Sequence, residues 1–346
     1  MLLKGSHTLS EAGAATRYFA QHFQTLTAHM GSWFSKKKKA SGGSRRELSS
    51  LLEGGSALKA TFQDLVSARH SLCITQHTFE AYFNLPILTD FGHQLFFYIN
   101  AAHKDYLLLY EDFELLYASV SRATTREILL DLFQVTWHKN AQAHADYIFT
   151  ACYIMLLVTN GMECTEKGIK FNPRAFSSSL LSDSYPVSGL HFDHFYDWVT
   201  YNMPHLHLCF SNFIRFKCQS ENRDEMSLDS SYVPLCLPQL SEDTTIPLET
   251  VFGVTLALHH LHPEWHCIYN SQKHGLSFHA MTEKALLGYS GSTLLVVRTQ
   301  EGQLLAGYAA QQWEAISRCP PNRPLTASHD FLLVIHSLAF FFEPQL

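Results

Sequence analysis

WHCIYNSQKHGLSFHAMTEKALLGYSGSTLLVVRTQEGQLLAGYAAQQWE, residues 265–314, decides how this chain is read. Two β-rich runs stand inside it, STLLVVR at 292–298 and LLAGYAA at 304–310. TQEGQ separates them, and Gly302 supplies the positive φ that a tight turn needs. The pair therefore reads as a β-hairpin. Gly307, inside the second run, predicts a bulge or a close backbone approach. HGLSFHAM upstream reads as a turn feeding a short helix, with Ser277 near its cap.

Outward from this stretch, IPLETVFGVTLALHH at 246–260 reads as a buried helix. FLLVIHSLAFFF at 331–342 reads as a core strand. The rest of the chain before 232 is dominated by helical periodicity. Leu58, Phe62, Leu65 and Val66 form one apolar face. ITQHTFEAYF at 74–83 is a helix that Thr75 can cap through its hydroxyl. FGHQLFFYI at 91–99 and YEDFELLYASV at 110–120 bracket a short connector. TTREILLDLFQVTW at 124–137 and HADYIFTACYIMLLV at 144–158 extend the bundle. Further on, Leu190, Phe195, Trp198 and Val199 mark a helix that Pro204 breaks, and the apolar stretch LHLCFSNFI follows.

The connector at 100–111 invites comparison with a calcium loop. Counted from Asn100, the apolar eighth position is Leu107 and the twelfth is Glu111. The third position is Ala102, the fifth is Lys104 and the sixth is Asp105 where a glycine is required. An ammonium group at a ligand position opposes a divalent cation. A helix–loop–helix that holds no ion is the expectation.

Near the N-terminus, MGSWFSKKKK at 30–39 has the form of an acylation signal. Met30, Gly31 and Ser35 fit M-G-x-x-x-[ST], and Gly31 could be acylated if translation starts at Met30. Lys36, Lys37, Lys38 and Lys39 follow at once. A single acyl chain binds membranes marginally, and each lysine near an anionic leaflet adds roughly 1 kcal/mol. The two together make the two-signal anchor that stable membrane attachment requires. The alternative is a chance M-G ahead of a solvated linker.

Composition sets limits on function. The net charge is −6, and nothing outside 36–46 is densely basic, so a general nucleic-acid binder is excluded. Eight cysteines without a C-x-x-C pair point to reduced, mostly core thiols in a cytosolic setting. The apolar runs at 147–158 and 331–342 are too short to span a bilayer. Attachment to a membrane surface is therefore expected in place of a crossing.

Candidate enzyme sites are thin. His259, His260, His262, His266 and Cys267 crowd one stretch, and a metal-dependent hydrolase is the reading they allow. Pro263 disturbs the helix that would align His262 with His266. His191, Asp193, His194 and Asp197 offer ligand types without a locatable further ligand. Ser277 lacks the G-x-S-x-G elbow. No catalytic residue, cofactor or metal is expected.

Trp265, Tyr269, Ser271, Gly275, Ser277, Phe278, the LLVV run at 294–297, Gly302, Gly307, Tyr308, Trp313 and Glu314 occur in an order and spacing that resemble the TLDc domain family. The wider chain is similar to the branch of that family tied to mTOR signalling at lysosomes. Three features carry this: the M-G-S start, the EF-hand-like helical region ahead of the domain, and DWVTYNMPHLHLCFSNFI at 197–214. The resemblance implies an α+β chain, with a helical EF-hand-like region followed by a partial antiparallel β-sandwich and flanking helices. It implies a non-enzymatic adaptor that contacts mTOR complex components on lysosomal or endosomal membranes. Vacuolar proton-pump subunits are further implied partners, and oxidative-stress protection is the other activity associated with the family.

The expected organisation is a leader helix at 1–29, the acylation motif and basic linker at 30–56, and the EF-hand-like region at 57–182. Connecting helices and a loop occupy 183–231, and a partial TLDc domain occupies 232–346. The family's domain continues past the equivalent of Leu346, so a shortened sandwich with an open apolar edge is expected.

Overall fold

The computed structural model describes residues 55–67, 73–100, 107–162, 171–181, 189–219, 235, 237, 239–240, 246, 248–258, 264–281, 283, 289, 291–298, 304–309 and 331–335. The leader segment, Gly31 and Lys36 to Lys39 lie outside these residues, as do Gly302, Trp313, Glu314 and the histidines at 259, 260 and 262. The chain divides into two compact units. The first comprises 1–84, 88–122 and 214–227, and the second comprises 85–87, 123–213 and 228–346.

The first unit repeats one arrangement. Helix α1 (Gly55–Ser67), strand β1 (Ile74–Thr75) and helix α2 (Gln76–Phe83) form one helix–strand–helix. Helix α3 (Phe91–Asn100), strand β2 (Leu107–Leu108) and helix α4 (Tyr110–Ser121) form the next. The strands pair antiparallel, Ile74 with Leu108 and Thr75 with Leu107. The two exit helices carry opposite halves of a capping box. Thr75 Oγ1 accepts from the Thr78 amide at 3.3 Å, and Asp112 Oδ2 accepts from the Leu109 amide at 3.2 Å. The cap expected at Thr75 is thus present.

The alignment counted from Asn100 is off by one residue. It makes Leu107 the inward apolar residue, but Leu107 is 41% exposed while Leu108 and its partner Ile74 are fully buried. Strand alternation allows only one of two neighbours to face inward, and the pairing with Ile74 selects Leu108. Asp112, in place of Glu111, then stands four residues on, and it is buried.

Phenylalanines fill the core of this unit. Phe79 stacks on Phe83 at 4.4 Å, Phe96 meets Phe79 at 5.7 Å, and Phe113 meets Phe62 at 5.8 Å. Leu58 and Phe62 of α1 are buried, while Leu65 and Val66 are half-buried. Gly92 lets α3 approach α2, because a Cβ there would lie 2.5 Å from the Glu80 carbonyl oxygen.

In the second unit, α5 (Thr125–Val135) starts at a capping box. The Thr124 amide donates to Glu127 Oε2 at 2.8 Å, and Thr124 Oγ1 accepts from the Glu127 amide at 3.4 Å. Helix α6 (Ala141–Thr159) is capped by Asn140, whose Oδ1 accepts from the Ala143 amide at 3.0 Å. The apolar run seen at 147–158 is thus part of a longer helix, and its 19 residues are long and apolar enough to cross a membrane. However, 61% of its apolar window is buried inside the protein, as in the central helix of a packed core.

Helices α7 (Arg174–Leu180), α8 (Phe192–Asn202) and α9 (Leu206–Cys218) follow. Pro204 separates the last two, and the apolar stretch read after it is helical. Helix α9 ends in the first unit, where Tyr82 Oη donates to the Lys217 carbonyl at 2.5 Å and Arg215 Nη2 donates to the Val120 carbonyl at 3.2 Å. Gln219, just after the helix, donates through Nε2 to Tyr117 Oη at 2.6 Å.

Strand β3 (Gln239–Leu240) leads to helix α10 (Leu248–Ala257), the helix expected at 246–260. Its Phe252 is fully buried among Tyr153, Phe171 and Phe176, at centroid distances of 5.5, 5.3 and 5.5 Å. The His205 amide donates to the Leu256 carbonyl at 3.2 Å, which ties α10 to the turn before α9. Cys152, Cys209 and Cys218 are buried and free, and burial pushes the Cys152 and Cys218 thiols up. The Cys152 and Cys218 thiols fill space and are not activated nucleophiles.

Strand β4 (Glu264–Trp265) pairs parallel with β3. Two short helices, α11 (Ser271–His274) and α12 (Phe278–Met281), precede the last sheet. Strands β5 (Thr293–Arg298), β6 (Leu304–Ala309) and β7 (Phe331–Ile335) form an antiparallel meander with β6 in the centre. The expected hairpin and the strand at the start of 331–342 are both present. The bulge expected at Gly307 is absent, since Leu295 pairs with Gly307 and Val296 with Ala306 in unbroken register. Gly307 sits between two partners, Leu295 and Leu332, so the ladder on both sides holds it straight. The chain is mostly helical with a few short, mainly antiparallel strands. A second sheet facing this one is not seen among the described residues.

Candidate functional site

Part of the signature, Tyr269, Ser271, Gly275, Ser277 and Phe278, lies in the turn from Cys267 to Met281. Asn270 starts it. Its Oδ1 accepts from the Gln272 amide at 2.9 Å and its carbonyl accepts from the His274 amide at 2.8 Å, which closes α11. Gly275 then reverses the chain with φ 85 and ψ 156, a region that glycine alone occupies readily. Tyr269 clasps the two ends, because its hydroxyl donates to the Gly275 carbonyl at 2.5 Å. The Cys267 thiol makes a weak 3.5 Å bond to the Tyr269 carbonyl.

A second clasp was not legible in the signature. The Asn270 amide donates to His274 Nδ1 at 3.0 Å, and the His274 and Tyr269 rings lie 5.8 Å apart. An asparagine just before a short polar helix is a cap signal, and it marked this position. Ser277 then caps α12 as expected, with Oγ accepting from the Ala280 amide at 3.4 Å and its carbonyl accepting from Met281 at 3.0 Å.

Between Gly275 and Ser277, Leu276 is 96% exposed. A leucine held out on a doubly clasped turn costs solvation and gains nothing from the fold that is described. Of the other signature residues, Trp265 is half-buried in β4, Phe278 opens α12, and Gly307 lies in β6. The turn therefore gathers Tyr269, Gly275, Ser277 and Phe278, while Gly307 belongs to the sheet.

Replacing Gly275 by alanine tests the turn. No atom lies within 4 Å of an added Cβ, so the cost is purely that of the backbone conformation. About 1–3 kcal/mol of local destabilisation is expected, read as lost amide protection at 269–277 with the helical units unchanged.

Ser277 Oγ is engaged as a helix cap, with no base described beside it. Among the described residues no group of three potential ligands could hold a metal. Two of the candidate polar groups at 191–198 have other partners. Asp193 pairs with Arg126 at 2.7 Å, and His194 Nε2 meets the Leu180 carbonyl at 2.7 Å.

Comparison with known proteins bears on the same region. No curated protein matches the chain. The family match begins inside α10, spans the clasped turn and all three strands of the meander, and ends just beyond β7. Residues 250–337 carry a TLDc domain.

Proposed function

We propose that this chain is a regulatory protein of the TLDc type that acts through protein–protein contacts and not through catalysis. The single observation that carries the reading is the TLDc match over 250–337. The exposed Leu276 on a clasped turn supports it, because a rigid apolar tip suits docking. A lysosomal or endosomal setting, with mTOR complex components and vacuolar proton-pump subunits as partners, is the finer reading. The acylation-type motif at Met30–Ser35 and the lysines at 36–39 support it.

The experiment expresses the chain begun at Met30 and its Gly31→Ala variant in cells, isolates lysosomes and immunoprecipitates the protein. Recovery of mTOR complex or pump subunits, with membrane association lost in Gly31→Ala, is the expected result. Recovery of neither set of subunits sinks the pathway assignment. Equal membrane association of both proteins sinks the lipid anchor. Oxidative-stress protection is the second reading that the same domain supports. It needs no membrane, so protection against peroxide by the Gly31→Ala protein favours it.

The first unit, in this reading, is an EF-hand-like pair without an ion. Two helix–strand–helix halves joined at Ile74 and Leu108 support that. With those residues in the eighth loop position, the twelfth positions are Thr78 and Asp112, and Asp112 already accepts from the Leu109 amide. The expected melting temperature is the same with calcium and with chelator. A calcium-dependent rise that Asp112→Asn removes would contradict this.

A further inference from the structure

We propose that His274 is a proton-sensitive latch on the 269–277 turn, closed while its imidazole is neutral and released when it gains a proton. The geometry requires this direction. His274 Nδ1 faces a donor, the Asn270 amide, at 3.0 Å. Only a ring nitrogen with a free lone pair accepts that bond, so the ring proton sits on Nε2. A second proton has to go to Nδ1, which sets two N–H groups against each other. The bond is then lost, and imidazole is the side chain that changes charge between about pH 5 and 8.

The latch holds something specific. Asn270 is the cap of α11, and the bond from its amide ties the start of the turn to its last helical residue. With that tie gone, the chain reversal that presents Leu276 loses one of its bonds and keeps the Tyr269 hydroxyl bond to Gly275 and the bonds that Asn270 accepts from Gln272, Lys273 and His274. The Tyr269 ring lies 5.8 Å from the imidazole, and the other titratable groups of the turn are the Cys267 thiol, bonded to the Tyr269 carbonyl, and Lys273, next to His274 in sequence. From α12, packed against α11, His279 is paired with Glu283 at 3.7 Å. His279 is a second imidazole beside the turn and needs its own control.

The test is hydrogen–deuterium exchange on the full chain, corrected for the intrinsic pH dependence of exchange, with far-UV circular dichroism to confirm folding. The wild-type 268–277 segment is expected to lose protection about fivefold between about pH 7.5 and about pH 5.5, the worth of one net hydrogen bond. His274→Gln is expected to show the same protection at both pH values, and His279→Gln to behave as the wild type. Wild-type protection that does not change with pH overturns the proposal, and this comparison needs no variant. A pH response that survives in His274→Gln, or vanishes in His279→Gln, also overturns it.

Discussion

Phe252→Ala lowers the stability of the second unit by about 3–5 kcal/mol, the usual cost of emptying a fully buried phenylalanine site. Phe252 meets Tyr153 and Phe176 edge-on, at 86° and 80°, and Phe171 at 83°. Those rings come from α6, from the segment before α7, and from α7 itself. Their positions are tied down by other contacts, such as Tyr153 stacked on Phe171 at 4.1 Å, so collapse into the cavity is restricted. Denaturant unfolding of the variant beside Tyr201→Ala, whose ring is 53% exposed, gives the comparison. The exposed change is expected to stay within about 0.5 kcal/mol of wild type. Equal effects for the two would mean that α10 is not seated in this core.

The second large effect is a dependence on pH. His144 is 1% exposed, and burial pushes its imidazole down to about 3, with the neighbouring His138 imidazole adding to the effect. The Phe133 carbonyl, 3.0 Å from Nε2, opposes the shift by favouring a protonated nitrogen. The folded state thus holds His144 neutral, whereas the unfolded chain binds a proton below its ordinary value of 6.5. Stability from this group is fully present above pH 6.5 and declines as pH falls from 6.5 toward 3. The slope is about 1.4 kcal/mol per pH unit, so about 2 kcal/mol is lost between pH 6.5 and pH 5. Denaturant unfolding at the two pH values reads this out. His144→Gln is expected to flatten the slope by that amount, and an unchanged slope in the variant would refute the assignment.

Local chemistry was legible in the sequence, and register was not. The Thr75 cap and the short helix after Ser277 could be read because a hydroxyl and the amides it satisfies lie within three residues. The hairpin could be read because two β-rich runs flank a glycine-bearing turn. Leu107, Leu108 and Leu109 look alike in sequence, and only the cross-strand partner Ile74 says which one faces inward. The bulge offered as one reading of Gly307 fails for a related reason, since the strand's straightness comes from neighbours on both sides. At the site, Tyr269, Gly275 and Ser277 were visible as a pattern. The bond from Asn270 to His274 was not, because it depends on which ring nitrogen turns inward.

The discontinuity of the first unit has a consequence for synthesis. Its last structural piece, 214–227, emerges from the ribosome only after the whole intervening stretch 123–213. Until then Tyr82, Tyr117 and Val120 await the partners they later find at Lys217, Gln219 and Arg215. The N-terminal helices must therefore remain open to chaperones while roughly ninety further residues are translated, at a rate of about 5–20 per second. A nascent chain stalled before residue 214 would present the unfinished surface around Tyr82, Tyr117 and Val120 to whatever binds it.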